Sequence, residues 1–140
     1  MCTFIILRRP GHDWPVLIAT NRDEMTDRPW QAPARHWPDR PDVVGGLDEL
    51  AGGTWLAAND TNVVAAVLNR EGSLGPTTDK RSRGELVLDS VDYPDAVVAA
   101  EAMAELDSRA YRSFNLMIAD NHHAFWIRGT KEAVVEVQEI

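Results

Sequence analysis

The chain holds a single cysteine, Cys2, directly behind the initiator Met1. Cysteine is small enough for a preceding methionine to be removed, so the mature chain is expected to begin with Cys2. A free α-amine has a pKa of about 7.7 to 8.0, so part of it is neutral at working pH and can take a proton from the side chain of its own residue. A thiol suits that arrangement because its own pKa is about 8.5. One residue then supplies nucleophile and base, a variant of the activated nucleophile. Taken by position alone, Cys2 reads more simply as a small buried side chain at the start of a strand.

Three further groups have side chains fit for chemistry. Asn21-Arg22-Asp23-Glu24 follows an apolar run, 14–20, that pairs plausibly with the run 2–7. A hairpin brings its end beside its beginning, so Asp23 is expected near Cys2, where a carboxylate would orient the amine. Arg22 offers two parallel donors to a substrate anion. The plainer reading is a solvated strand end with an Arg–Asp pair. Asn69 closes the run 63–68 ahead of Arg70, and a side-chain amide there suits a developing oxyanion; otherwise it is a turn residue. His122 and His123 are adjacent on a turn, and neighbouring side chains point apart, so no metal site is expected. His36 is a weak candidate for a haem ligand.

These groups need elements to hold them. Strands are expected over 2–7, 14–20, 53–58 and 63–69, with turns at Gly11-His12-Asp13 and at 59–62. Residues 25–52 read as an irregular loop, because Pro29, Pro33, Pro38 and Pro41 interrupt it and Gly45-Gly46 follow. That loop carries Trp30, Trp37, Arg28, Arg35 and Arg40. Ser82-x-x-Glu85 matches a capping box ahead of a helix over 83–91. Pro94 suits a first helical position, and Val98, Ala102 and Leu106, widened by Ala99 and Met103, predict a second helix over 94–107. Strands over 113–119, 124–128 and 133–137 complete the order. Strands segregated from helices predict an α+β fold, not a doubly wound sheet. A last strand running to the final residue leaves an open edge and predicts the front part of a longer protein.

Composition bounds the answer. The 140 residues form one domain, 1–140, with 44% apolar and 26% charged residues, as in a folded globular protein. No apolar run approaches the ~20 residues that span a bilayer. A net charge of −8 argues against a nucleic-acid partner. Residues 85–140 hold 11 acids and 4 bases, and residues 1–84 hold 11 acids and 10 bases. A pocket for an anion therefore belongs in the nearly neutral, arginine-rich front part. One cysteine allows no internal disulfide and no Cys-based metal site, which fits a reducing compartment, expected to be the cytoplasm.

In combination these groups resemble a known family. Met1-Cys2-Thr3-Phe4, Asn21-Arg22-Asp23-Glu24, Gly52-Gly53-Thr54-Trp55, Val67-Leu68-Asn69-Arg70, Ser82-Arg83-Gly84 and Phe114-Asn115-Leu116 with Ala119-Asp120 occur in the order of the NRDE family, also called the Transport and Golgi organisation protein 2 family. That family resembles N-terminal-nucleophile hydrolases of the penicillin V acylase and bile salt hydrolase group. The resemblance implies an αββα sandwich, incomplete here at its C-terminus, with a mature Cys2 as nucleophile. The group's Asn-x-Asp matches Asn21-Arg22-Asp23, and its Leu-Asn matches Leu68-Asn69, where the Asn is similar to an oxyanion-hole residue. The Arg that precedes Asn-x-Asp in those hydrolases is Thr20 here, and their later catalytic Asn and Arg lie beyond the matched region.

The resulting expectation is a cysteine amidohydrolase acting on a small or non-peptide carbon–nitrogen amide. Cys2, Asp23 and Asn69 are its catalytic candidates. Asn21, Arg22, Trp55 and Arg70 are its substrate-binding candidates. No cofactor is required. The competing expectation is a non-catalytic carrier of haem or another amphipathic anion, since animal members of the family are associated with haem handling and with Golgi and mitochondrial phenotypes. In that case Arg and Trp side chains of the 25–52 loop would meet the propionates and the ring. A third reading is a fragment that is inactive alone.

Overall fold

In a computed structural model, which describes residues 2–140, the first two apolar runs form the expected hairpin. Strands β1 (Phe4–Arg8) and β2 (Val16–Thr20) pair antiparallel with Phe4 opposite Thr20 and Arg8 opposite Val16. Burial alternates along both, as the two-residue period of a strand requires. Phe4, Ile6 and Ile18 face inward, and Ile5, Leu7 and Leu17 are exposed.

The remaining strands build one seven-stranded antiparallel sheet. Its order is β3 (Trp30–Ala34), β4 (Val43–Asp48), β5 (Leu56–Asn59), β6 (Val64–Asn69), β7 (Phe114–Ala119), β8 (Ala124–Gly129) and β9 (Glu136–Glu139). Each strand lies beside its neighbour in sequence, so the sheet is a meander. Helices α1 (Gly84–Ser90) and α2 (Ala96–Ala104) interrupt it between β6 and β7. They pack on the face that carries Ala65, Leu116, Ile118 and Ile127, and enclose with them Leu86, Val87, Ala99 and Met103. The opposite face presents Ala66 and Met117 to Phe4, Ile6 and Ile18 of the hairpin. The fold is α+β, with helices, sheet and hairpin stacked in that order. None of its helices is long and apolar enough to cross a membrane, among the described residues.

The expected 25–52 loop is corrected by β3 and β4. β3 is a sheet edge and exposed throughout, so it shows no alternation, and an edge tolerates Pro33. In β4 the glycines make room instead of breaking the strand: a Cβ on Gly45 would lie 2.8 Å from the Leu56 carbonyl oxygen, and one on Gly46 2.3 Å from the Trp55 indole.

Other boundaries also differ. Residues 53–55 precede β5 instead of joining it. The capping box does not close: Ser82 Oγ accepts from Gly84 N at 3.3 Å, and the Glu85 carboxylate is taken by Arg81. Pro94 lies outside α2, whose N-cap is Asp95, accepting from Val98 N. The buried stripe of α2 is Ala96, Ala99, Ala100 and Met103, and Val98 faces solvent. The last strand begins at Glu136 instead of 133, because Ala133 is held by the 3₁₀ turn Ser108–Ala110 through Ser108 N and Val135 is buried.

Candidate functional site

The hairpin places the first candidate residues. Beyond the β1–β2 ladder, Asn21 N donates to the Thr3 carbonyl at 3.3 Å, and Thr3 N donates to Asn21 Oδ1 at 2.6 Å. Thr20 Oγ1 donates to the same carbonyl at 2.8 Å. This clasp carries the pairing one step past the strand ends and brings Arg22 and Asp23 level with Cys2. Met1, whose removal would free the Cys2 amine, lies outside the described residues.

Cys2, Asn21, Arg22, Asp23, Trp55 and Asn69 line one cleft of about 310 Å³. Cys2 is a half-buried free thiol there. Asn69 ends β6 and donates from Nδ2 to the Asp23 carbonyl at 3.1 Å, which ties the hairpin end to the large sheet. That amide nitrogen carries a second N–H. Arg22 stacks on Trp55, with its guanidinium carbon 4.7 Å from the ring centroid. Trp55 meets Trp30 edge to face at 5.8 Å, over the gap left by Gly46. The seventh candidate, Arg70, does not line the cleft: its Nη1 donates to Asn115 Oδ1 at 2.9 Å, an acceptor shared with Trp126 Nε1.

One wall of the cleft is Arg28, held by Asp48 through Nε at 3.1 Å and Nη2 at 2.6 Å. The Asp48 hydrogen bonds raise the Arg28 pKa further. The other arginines of residues 25–52 are also committed to acids: Arg35 pairs with Asp60, and Arg40 with Asp39, Asp89 and Asp92. His36 is half-buried, outside the cleft lining, and contacts the Ala32 carbonyl at 2.8 Å. His123 pairs with Glu139 and stacks on Phe125, and the His122 N–H is bound by Asp120. No group of three or more His, Cys, Asp or Glu among the described residues stands where it could hold a metal ion.

Sequence reasoning missed one side of the cleft. Lys80, Arg81, Arg83 and Arg112 also line it. The lining as a whole holds six basic and three acidic side chains. Five of those bases fall within residues 1–84, where the charge distribution placed an anion pocket. Arg83 was visible inside Ser82-Arg83-Gly84, but nothing about the motif alone brings it to the cleft that Cys2 lines. The reason is a long-range contact: Thr54 N approaches the Gly84 carbonyl at 3.4 Å, and the glycines on both segments let the backbones touch. Two separated motifs are thereby docked on each other at the mouth of the cleft.

The family model described as Transport and Golgi organisation 2 matches residues 1–139. No curated protein matches the chain significantly.

Proposed function

The chain belongs to the Transport and Golgi organisation 2 family, and from that premise we propose that it is an N-terminal cysteine amidohydrolase of a small, non-peptide carbon–nitrogen amide. The observation that carries the reading is the convergence of Cys2, Asp23 and Asn69 on one cleft from the hairpin and from the end of β6. The layering of helices, antiparallel sheet and second strand layer supports the αββα sandwich of N-terminal-nucleophile hydrolases as the parent architecture.

The chemistry starts once Met1 is removed. The Cys2 thiol passes its proton to its own α-amine, Sγ bonds to the amide carbon, and the carbonyl electron pair moves onto oxygen. The second N–H of Asn69 Nδ2 donates to that oxyanion, a contact of the kind worth about 10²-fold or more in rate. Asp23 orients the ammonium. As the carbonyl re-forms, the C–N bond breaks and the leaving amine takes the ammonium proton. Water then gives a proton to the α-amine while its oxygen bonds to the thioester carbon. The C–S bond breaks, and the thiolate regains the proton as the acid leaves. Arg22 and Trp55, stacked, form the binding wall beside Cys2, with Asn21 fixing the strand end.

Turnover of a panel of small amides by the Met1-free protein tests this. Cys2→Ala and a form that retains Met1 are both expected to be inactive. Turnover that survives Cys2→Ala overturns the reading.

A further inference from the structure

Arg83 and Arg112 stand apart from the other arginines that border the cleft. Arg28 and Arg81 are ion-paired with Asp48 and Glu85, and Arg22 rests on Trp55. Arg83 is half-buried and has only neutral partners among the described residues: its Nη1 donates to Ser73 Oγ at 2.9 Å and to the Ser113 carbonyl at 3.1 Å. Its Nε and Nη2 make no hydrogen bond among the described residues. Those two atoms form the edge of a guanidinium that accepts a carboxylate through two parallel hydrogen bonds.

Leaving this group without a direct ion pair among the described residues is unexpected in a chain of 22 acidic and 14 basic residues. Taking a charge out of water without a counter-ion is unfavourable. The neighbourhood increases the cost. Burial and the nearby Arg112 both pull the Arg83 pKa below the usual arginine value. Arg112 itself is bound only to carbonyls, those of Gly72, Leu74 and Gly75, and Lys80 to the Arg109 carbonyl. An anion from outside would offset the charge held at Arg83. The Glu24 carboxylate on the same cleft and the Cys2 thiolate are near enough to oppose the fall in its pKa, without either forming an ion pair or hydrogen bond with Arg83 among the described residues.

We propose that Arg83 is the anion-recognising residue of this cleft, and that the amide presented to Cys2 carries a carboxylate that docks on its Nε/Nη2 edge. The amide rests on the hydrolase reading above; the carboxylate subsite does not.

Cys2 is the chain's one thiol, so paired alkylators report on its surroundings directly. Iodoacetate and iodoacetamide differ in one carboxylate. The ratio of their rates at Cys2 is expected to exceed that of a free model thiol by about tenfold, the order one charge-assisted contact provides. A net charge of −8 alone would lower the ratio. Arg83→Gln is expected to return the ratio to the model-thiol value, and Arg83→Lys to keep part of the gain. A ratio no higher than that of the model thiol, or one unchanged in a folded Arg83→Gln protein, overturns the proposal. If Arg83→Gln does not fold, or Cys2 does not react in the native state, melting of the unaltered protein decides. Millimolar succinate raises its Tm and succinamide does not; equal behaviour of the two overturns the proposal. Anion preference at Cys2 without turnover of any amide would remove the hydrolase reading and leave the subsite standing.

Discussion

Gly53 and Gly84 meet backbone to backbone. A Cβ on Gly53 would lie 2.7 Å from the Gly84 carbonyl carbon, and one on Gly84 would lie 2.9 Å from Thr54 N. Neither neighbour is a side chain that can swing away. The contact seats the turn into α1 against the start of β5, and with it Arg83 against the cleft.

Gly84→Ala therefore destabilises the protein by about 1–3 kcal/mol, the usual cost of forcing atoms into a packed site, although alanine is the better helix former. Guanidinium unfolding checks this. A neutral or stabilised variant would mean that the two segments separate at little cost.

Asn59 predicts a second loss. It is buried, and its Nδ2 donates to the Val91 and Tyr93 carbonyls at 2.8 and 3.0 Å. Its Oδ1 accepts from Thr61 N, Thr61 Oγ1 and Val63 N. One side chain thus pins the tight β5–β6 turn, with Asn62 at φ 72°, to the link between the helices. Asn59→Ala orphans several buried groups and is expected to cost about 3 kcal/mol, read as a fall in the denaturation midpoint.

The two roles of asparagine mark where the sequence was legible. Asn59 is readable as a turn residue, and its reach to a segment 32 residues on is not. Local patterns located the first hairpin, β5–β8, both helices and the cleft residues on strand ends, because alternation and helical spacing are local physics. β3 and β4 were hidden because an exposed edge strand has no alternation, and because glycines that admit Trp55 look like breakers. Of the predicted helix stripe, Ala99 and Met103 are buried, Ala102 and Leu106 pack at the margin of the core, and only Val98 turns to solvent, its place taken by the small Ala96 and Ala100. Arg70 and Arg83 show the same limit at the site: each lies in a recognisable motif, yet only tertiary docking decides which one lines the cleft with Cys2.

Asp120 predicts the acid limb of stability. Burial opposes its charge, but N–H groups of Ala96, His123 and His122 outweigh that and hold its pKa below the ordinary carboxylate value. The unfolded chain, with a value of about 3.9, binds the proton first as pH falls. The carboxylate thus contributes its full stability above pH 5, and loses it as the pH drops past 3.9 and through the native value. Asp120→Ala is expected to cost about 2 kcal/mol or more at pH 7. The gap to the unaltered protein should close on acidification. A gap independent of pH would contradict the role of the charge.

We propose Cys2 as a free N-terminal nucleophile. Intact mass after brief exposure to limiting iodoacetamide tests it most directly, since any adduct must lie on the one cysteine. The expected result is a chain lacking Met1 that takes up a single adduct faster than a model thiol at the same pH. A retained Met1, or a Cys2 that stays unmodified until the protein is denatured, would contradict it.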